Sequence, residues 1–172
     1  MNIALLREMG IALLMILLQA LVFNQIHLFG VAIPIVFIYV IFRMPIARST
    51  AWDLTSAFLL GMVVDIFSNT PGMNALACTI LAFIRKPVLS LYLPHGNDYA
   101  SVVPSIRSFG VGLYVRYAFT LTLLYCILIF VIESLSLFDF PYMLLRIVCS
   151  TLLSFLLIFC IDSLSQGREK RL

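Results

Sequence analysis

The sequence has 172 residues, of which 63% are hydrophobic and only 11% are charged. A water-soluble domain contains about 45 to 50% apolar and about 25% charged residues, so this composition excludes a soluble fold. The net charge of +3 is small, and the basic residues are scattered between apolar segments, which argues against a nucleic-acid surface. We therefore expect a single polytopic domain over residues 1–172 that contacts the lipid bilayer and no nucleic acid.

Six apolar segments follow one another along the chain, which fits repeated bilayer crossings of about 20 residues each. They cover residues 9–23, 31–47, 51–67, 72–91, 111–132 and 142–161. The first has no positive cluster before it and no small-residue cleavage site after it, so we interpret it as a retained span and not a signal peptide. The predicted fold class is an all-α integral membrane protein with a bundle of about six transmembrane helices.

Basic residues interrupt two of these segments. Arg43 follows an apolar run of 12 residues that begins at Val31, and Arg85 with Lys86 closes a run that begins at Met73. Long cationic side chains can extend along an apolar surface to the headgroups, and we favour this interpretation. Short or re-entrant segments are the alternative.

The distribution of Lys and Arg predicts the orientation of the chain. The links 24–30, 68–71 and 133–141 contain no Lys or Arg, whereas the links 43–50 and 85–110 contain basic residues. Their basic residues are Arg43, Arg48, Arg85, Lys86 and Arg107. Cytoplasmic loops retain basic residues, so we expect both termini in the cytoplasm. A cytoplasmic loop at about 92–110 and a cytoplasmic tail at about 163–172 follow from this orientation.

Ionisable residues within the spans are costly in lipid and therefore need an explanation. They are Asp65, Arg116, Glu133, Arg146 and Asp162. At a rise of about 1.5 Å per residue, Asp65, Glu133 and Arg146 are expected near the outer face of the membrane. Arg116 and Asp162 are expected near the inner face. We interpret all five as structural ion pairs, with partner docking or transport as alternatives, and we expect Arg146 to neutralise Asp65 or Glu133.

The third segment begins with a pattern typical of a helix cap. Thr50 and Asp53 match a capping box, so we interpret Asp53 as a cap and not as an ion site.

No catalytic, cofactor-binding or metal-binding residue is predicted. The sequence lacks an H-E-x-x-H motif, a G-x-S-x-G motif and a phosphate-binding glycine loop. The histidines His27 and His95 lie in links that are predicted on opposite sides of the membrane, so they cannot share a metal ion.

The most distinctive motif begins in the third segment. Ala57 and Gly61 are four residues apart and offer a small-residue face for close helix approach, with Asp65 on the same face. The Pro71-Gly72 dipeptide then favours a tight turn before the next helix.

This stretch, from Gly61 to Ala77, resembles the MreD family of bacterial rod shape-determining membrane proteins. In that family a Gly-x-x-x-Asp helix is followed by a Pro-containing turn, a glycine and a small-residue helix. Here Gly72 directly follows Pro71, whereas the Pro-x-Gly arrangement is commoner in the family. The first hairpin, residues 19–30 followed by Pro34, is similar to that family as well.

The resemblance implies a non-catalytic component of the cell-elongation machinery in the bacterial cytoplasmic (inner) membrane. Its expected partner is an MreC-like periplasmic scaffold protein, with indirect links to an MreB-like cytoskeleton and to cell-wall synthases. The residues expected to bind the partner are Ala57, Gly61, Asp65, Pro71, Gly72 and Asn74.

Two other functions are compatible with the sequence. One is the substrate-binding subunit of an energy-coupling-factor vitamin transporter, which is also a six-helix protein of similar size. It would need a polar pocket near the outer face, where Asp65, Glu133 and Arg146 are expected. A membrane-bound enzyme is the weaker alternative.

Overall fold

Seven helices make up most of the chain that the computed structural model describes, which is residues 3–22, 33–93, 103–134 and 140–169. In chain order they are α1 (Ile3–Leu21), α2 (Tyr39–Phe42), α3 (Thr50–Ser68), α4 (Met73–Tyr92), α5 (Ile106–Phe109), α6 (Val111–Ser134) and α7 (Phe140–Glu169). The described residues contain no strand. Four helices, α3, α4, α6 and α7, are long and apolar enough to cross a membrane, so the predicted all-helical membrane character is confirmed.

The boundaries of the five long helices α1, α3, α4, α6 and α7 follow five of the six apolar segments, with differences near the chain ends. Helix α1 has 19 residues, which corresponds to about 28 Å of helix. Helix α7 continues past the predicted end of the sixth segment to Glu169, so much of the predicted tail 163–172 is helical. The predicted loop 92–110 contains α5, and its residues 94–102 lie outside the described part of the chain.

The second apolar segment is not a continuous helix. Residues 33–36 have no regular structure, a turn follows, and α2 has only four residues. Proline explains this difference, because Pro34 lacks a backbone N–H and disfavours a helical conformation at the residue before it. Pro45 acts in the same way just after α2. The prediction of a transmembrane helix over 31–47 is therefore wrong.

This irregular segment nevertheless runs along α7 for much of the bundle. The Ile33 amide donates to Ser150 Oγ at 3.0 Å, and ten residues later Arg43 Nη1 donates to Ser165 Oγ at 3.2 Å. Ser150 and Ser165 are separated by about 22 Å of helix. The segment therefore covers a distance similar to that of a short membrane span without forming a long helix.

Side chains replace the helical hydrogen bonds that this segment lacks. The Ile35 amide donates to Ser154 Oγ at 2.8 Å. The Gln19 amide group of α1 donates to Pro34 O at 3.0 Å and accepts from the Val36 amide at 2.9 Å. Non-helical backbone at membrane depth is tolerated where protein surrounds it, and residues 34–39 of this segment are buried inside the bundle.

The long helices alternate in direction and give the bundle two ends. Tyr92 Oη and Thr120 Oγ1 are 3.0 Å apart near the end of α4 and the start of α6. Tyr125 Oη donates to Asn74 Oδ1 at 2.6 Å near the start of α4. We call the end with the α3–α4 turn the hairpin end. The opposite end, where α3 begins and α4 and α7 end, is called the basic end.

Candidate functional site

At the hairpin end, the buried carboxylate of Asp65 joins α3 to α4. It accepts four hydrogen bonds of 2.9 to 3.0 Å, from Thr70 Oγ1, Asn74 Nδ2 and the backbone amides of Asn74 and Ala75. The two amides belong to the first turn of α4, so Asp65 caps that helix from the preceding one. Tyr125 then ties Asn74 to α6. The carboxylate is thus satisfied by the hairpin itself.

Gly61 permits the close packing of this hairpin. A Cβ atom at position 61 would lie 2.5 Å from Ala75 Cα and 2.6 Å from Asn74 O, which is too close for any side chain. Ala57, one turn earlier, is fully buried. The turn needs left-handed backbone, with φ of 54° at Asn69 and 81° at Gly72.

Most of the predicted partner-binding residues lie inside the protein. Ala57, Gly61, Asp65 and Asn74 are buried inside the chain. Since α4 covers their face of α3, they contact the protein's own helix. Of the six predicted residues, Pro71 and Gly72 at the tip of the turn remain exposed.

The predicted outer ion pair involves one of the two expected carboxylates. Arg146 Nη1 lies 3.1 Å from Glu133 Oε1, and its guanidinium carbon lies 4.8 Å from the centre of the Phe130 ring. Asp65 accepts its hydrogen bonds from the hairpin and forms no ion pair with Arg146. The three residues are therefore not joined in one ion-pair cluster.

At the basic end, Asp162 and Arg116 do not pair with each other. Asp162 is buried and accepts from Tyr39 Oη at 2.9 Å and from the Ile106 amide at 3.0 Å, so it joins α2 and α5 to α7. Arg116 lies on the exposed side of α6. Arg43 Nη1 also donates to Tyr39 Oη at 3.1 Å.

A third buried carboxylate, Asp53, lies in a cluster that the sequence did not predict. It is fully buried, and Arg85 Nη2, Lys86 Nζ and Arg48 Nε lie 3.3, 3.4 and 3.9 Å from its oxygens. The capping-box prediction is wrong, because Ser49 occupies the N-cap position and no side-chain capping bond forms there. The Asp53 side chain is instead directed towards α4.

Arg85 binds the turn that follows α2. Its guanidinium is fully buried and donates to the carbonyl oxygens of Ile41 at 3.1 Å, Met44 at 2.6 Å and Pro45 at 3.4 Å. Arg85 therefore does not extend to the headgroups, which corrects that prediction. A buried guanidinium is tolerated here because Asp53 and these carbonyls replace its hydration.

A count along the hairpin could have revealed this pair. Asp53 precedes Asp65 by 12 residues, and Arg85 follows Asn74 by 11 residues. Because Asp65 and Asn74 meet at the turn, Asp53 and Arg85 must lie at a similar depth on antiparallel helices.

None of the polar clusters described above resembles a metal centre. In the part of the chain that the structure describes, no three His, Cys, Asp or Glu side chains are grouped as metal ligands. His27 and His95 lie outside the described residues. The contacts of the described polar clusters hold helices together.

Comparison with known proteins identifies no relative of this chain. No protein-family model matches the chain, and neither a curated protein nor a solved structure is significantly similar to it. Function must therefore be inferred from the membrane helices, the hairpin and the charged clusters.

Proposed function

We propose that the chain is a non-catalytic membrane component of the bacterial cell-elongation machinery, with the role of an MreD-type protein. The observation that carries this proposal is the hairpin around Asp65. Three residues on which the resemblance rests have a structural role there: Gly61 admits α4, Asp65 caps it, and Gly72 adopts left-handed backbone. Residues that pack and cap helices are more typical of a structural scaffold than of a catalytic site.

The proposal includes six crossings of the cytoplasmic membrane with both termini inside. Helices α1, α3, α4, α6 and α7 supply five, and the irregular segment along α7 supplies the sixth. Grouping of Arg43, Arg48, Arg85 and Lys86 at the basic end supports a cytoplasmic location for that end.

Labelling of single cysteines tests this topology in a variant without the four native cysteines. Cysteines at Gln25, Pro71 and Leu137 should react in intact cells with an impermeant thiol reagent, and one at Asn97 should react only after lysis. Reaction at Asn97 in intact cells would contradict the orientation.

The partner is proposed to be an MreC-like scaffold protein that binds along the membrane-embedded surface. Because α4 covers the small-residue face, we place the contact on an exposed side of α3. Phe58, Met62 and Ile66 form an exposed row there at helical spacing, which leads towards the exposed turn at Pro71.

Co-purification tests the partner and its location. Ile66→Trp should reduce recovery of the MreC-like protein at least several-fold, whereas Leu156→Trp, on an exposed position of α7, should retain it. Gly61→Leu is unsuitable because it would disrupt the hairpin itself. Retention of the partner by Ile66→Trp at normal yield would show that this row is not the contact.

Depletion of the chain tests the cellular role. Rod-shaped cells should become round as lateral wall synthesis loses its organisation. If depleted cells keep their shape but lose uptake of a vitamin, the transporter function replaces this one. Thermal stabilisation of the purified chain by a member of a vitamin panel would support the same replacement, since a ligand bound to the folded state raises its stability.

A further inference from the structure

The short helix α5 lies against buried groups at the basic end of the bundle. At its start, the Ile106 amide donates to Asp162 Oδ2 of α7 at 3.0 Å. At its end, the Phe109 ring packs edge-on against the Tyr117 ring of α6, with 6.3 Å between the ring centres. Asp162 and Tyr117 are both buried, so α5 covers part of the interior at this end.

The position of α5 in the chain allows it to move without the long helices. None of its four residues is buried. It ends at Gly110, whose φ of 75° and ψ of 161° are a combination essentially restricted to glycine. The Gly110 carbonyl already accepts the Tyr114 amide at 3.1 Å, so α6 begins there. Segments with few buried residues open at a lower free energy than the core, so we expect α5 to open about Gly110 while α6 stays folded.

Tyr114 is left without a hydrogen bond while α5 is in place. Its side chain is fully buried, and its hydroxyl has no hydrogen-bond partner among the residues that the structure describes. Among the neighbouring side chains, Asp162 has the largest electrostatic effect on this hydroxyl. The oxygens of Asp162 accept from Tyr39 Oη and from the Ile106 amide, and Tyr114 bonds to neither oxygen. A buried donor without an acceptor costs free energy, which favours any state that supplies one.

We propose that α5 is a lid whose opening exchanges the donor to Asp162. In the closed state the Ile106 amide donates to Oδ2. In the open state water at the basic end solvates that amide, and the Tyr114 hydroxyl donates to the released oxygen instead. Because Tyr114 gains a hydrogen bond when Ile106 loses one, the lid is poised between two states. This device is independent of the proposed cellular role.

Hydrogen exchange of the full-length protein in lipid nanodiscs, followed by mass spectrometry, detects the opening. The amides of Asn74 and Ala75 are the matched control, because the carboxylate of Asp65 accepts from both at 3.0 and 2.9 Å. After correction for intrinsic rates, the amides of α5 should exchange at least about tenfold faster than this pair. Equal rates would show that α5 opens only when the bundle unfolds, which would overturn the lid.

Tyr114→Phe tests the exchange of donors. It removes the unsatisfied hydroxyl from the closed state and the new hydrogen bond from the open state, so opening loses its compensation. Exchange of the α5 amides should therefore become at least about fivefold slower, which corresponds to about 1 kcal/mol. Tyr117→Phe is the control, since its hydroxyl already donates to Phe42 O at 3.4 Å and should not slow exchange when removed. A residue that only packs against α5 would leave exchange unchanged or make it faster.

A double-mutant cycle identifies the acceptor in the open state. In the Asp162→Ala background, Tyr114→Phe should no longer slow the exchange of α5. Slowing of the same size in that background would show that water and not Asp162 receives the hydroxyl, which would overturn the exchange of donors. Both tyrosine variants keep the aromatic ring and should fold. Unchanged or faster exchange in Tyr114→Phe therefore overturns the proposal even if Asp162→Ala does not fold.

Discussion

Gly61 lies against the backbone of Ala75 so closely that a Cβ atom at position 61 would be 2.5 Å from the Ala75 Cα. The obstacle is backbone and not a flexible side chain, so it cannot move without shifting α4. Asp65, one turn further along α3, caps the first turn of that same helix. The two residues together fix both the separation and the register of the α3–α4 hairpin.

Gly61→Ala should therefore destabilise the protein although alanine favours helices. We expect a loss of about 1 to 3 kcal/mol from overpacking, measured as a lower midpoint of thermal unfolding by circular dichroism in detergent. Gly112→Ala is the matched control, because a Cβ at that helical position meets nothing within 4 Å. It should be neutral or slightly stabilising. Equal midpoints for the two variants would contradict the close approach.

Loss of Arg85 should cost more than loss of Asp53. Arg85→Met removes the side-chain hydrogen bonds to the carbonyls of Ile41 and Met44 and leaves Asp53 without its closest cation. Removal of one member of a buried pair costs about 3 to 5 kcal/mol. Asp53→Asn should cost less, because Arg85 keeps its carbonyl acceptors. Thermal unfolding of the two variants shows which loss of stability is larger. A larger loss in Asp53→Asn would show that the Arg85–Asp53 ion pair contributes more than the carbonyl contacts of Arg85.

Arg146 should be energetically coupled to Glu133 and independent of Asp65. The Arg146–Glu133 pair is partly exposed, so a double-mutant cycle should give a coupling of about 0.2 to 1 kcal/mol. The cycle for Arg146 and Asp65, made with Arg146→Leu and Asp65→Asn, should be additive within about 0.5 kcal/mol. A larger coupling to Asp65 would favour the outer ion pair that the sequence also allows.

Ser154 should stabilise the fold through its hydrogen bond to the backbone of the irregular segment before α2. Ser154→Ala removes the acceptor of the buried Ile35 amide, and an unsatisfied buried donor costs about 1 to 3 kcal/mol. Ser163→Ala, at an exposed position of the same helix, is the control and should change stability little. If both variants unfold at the same temperature, the irregular segment does not depend on this bond.

Sequence patterns predict the long helices well, because a long uninterrupted apolar segment is enough to indicate a membrane-spanning helix. The predicted segment 51–67 becomes α3 (Thr50–Ser68), and 111–132 becomes α6 (Val111–Ser134). The segment 31–47 has the same apolar character but a different structure. Its prolines break the helix, and its hydrogen-bond acceptors lie in helices far along the chain. No local pattern contains that information.

Charged residues were harder to predict for a related reason. The capping box at Thr50 and Asp53 is a local pattern, whereas the actual partner of Asp53 is Arg85, 32 residues further on. The motif places Asp65 on the small-residue face before the turn, and all the donors to its carboxylate lie within the same hairpin. The sequence nevertheless predicted an ion pair for Asp65 and not the cap of α4, because the cap depends on how the two helices meet.

The bonds from Ile33 to Ser150 and from Ile35 to Ser154 join residues 117 and 119 positions apart. At a synthesis rate of about 5 to 20 residues per second, the irregular segment leaves the ribosome about 6 to 24 seconds before these serines do. During that interval its amides depend on water or on a transient helix, because lipid offers no acceptor. The hydrogen bonds of these two amides can therefore form only after Ser150 and Ser154 of α7 have been synthesised.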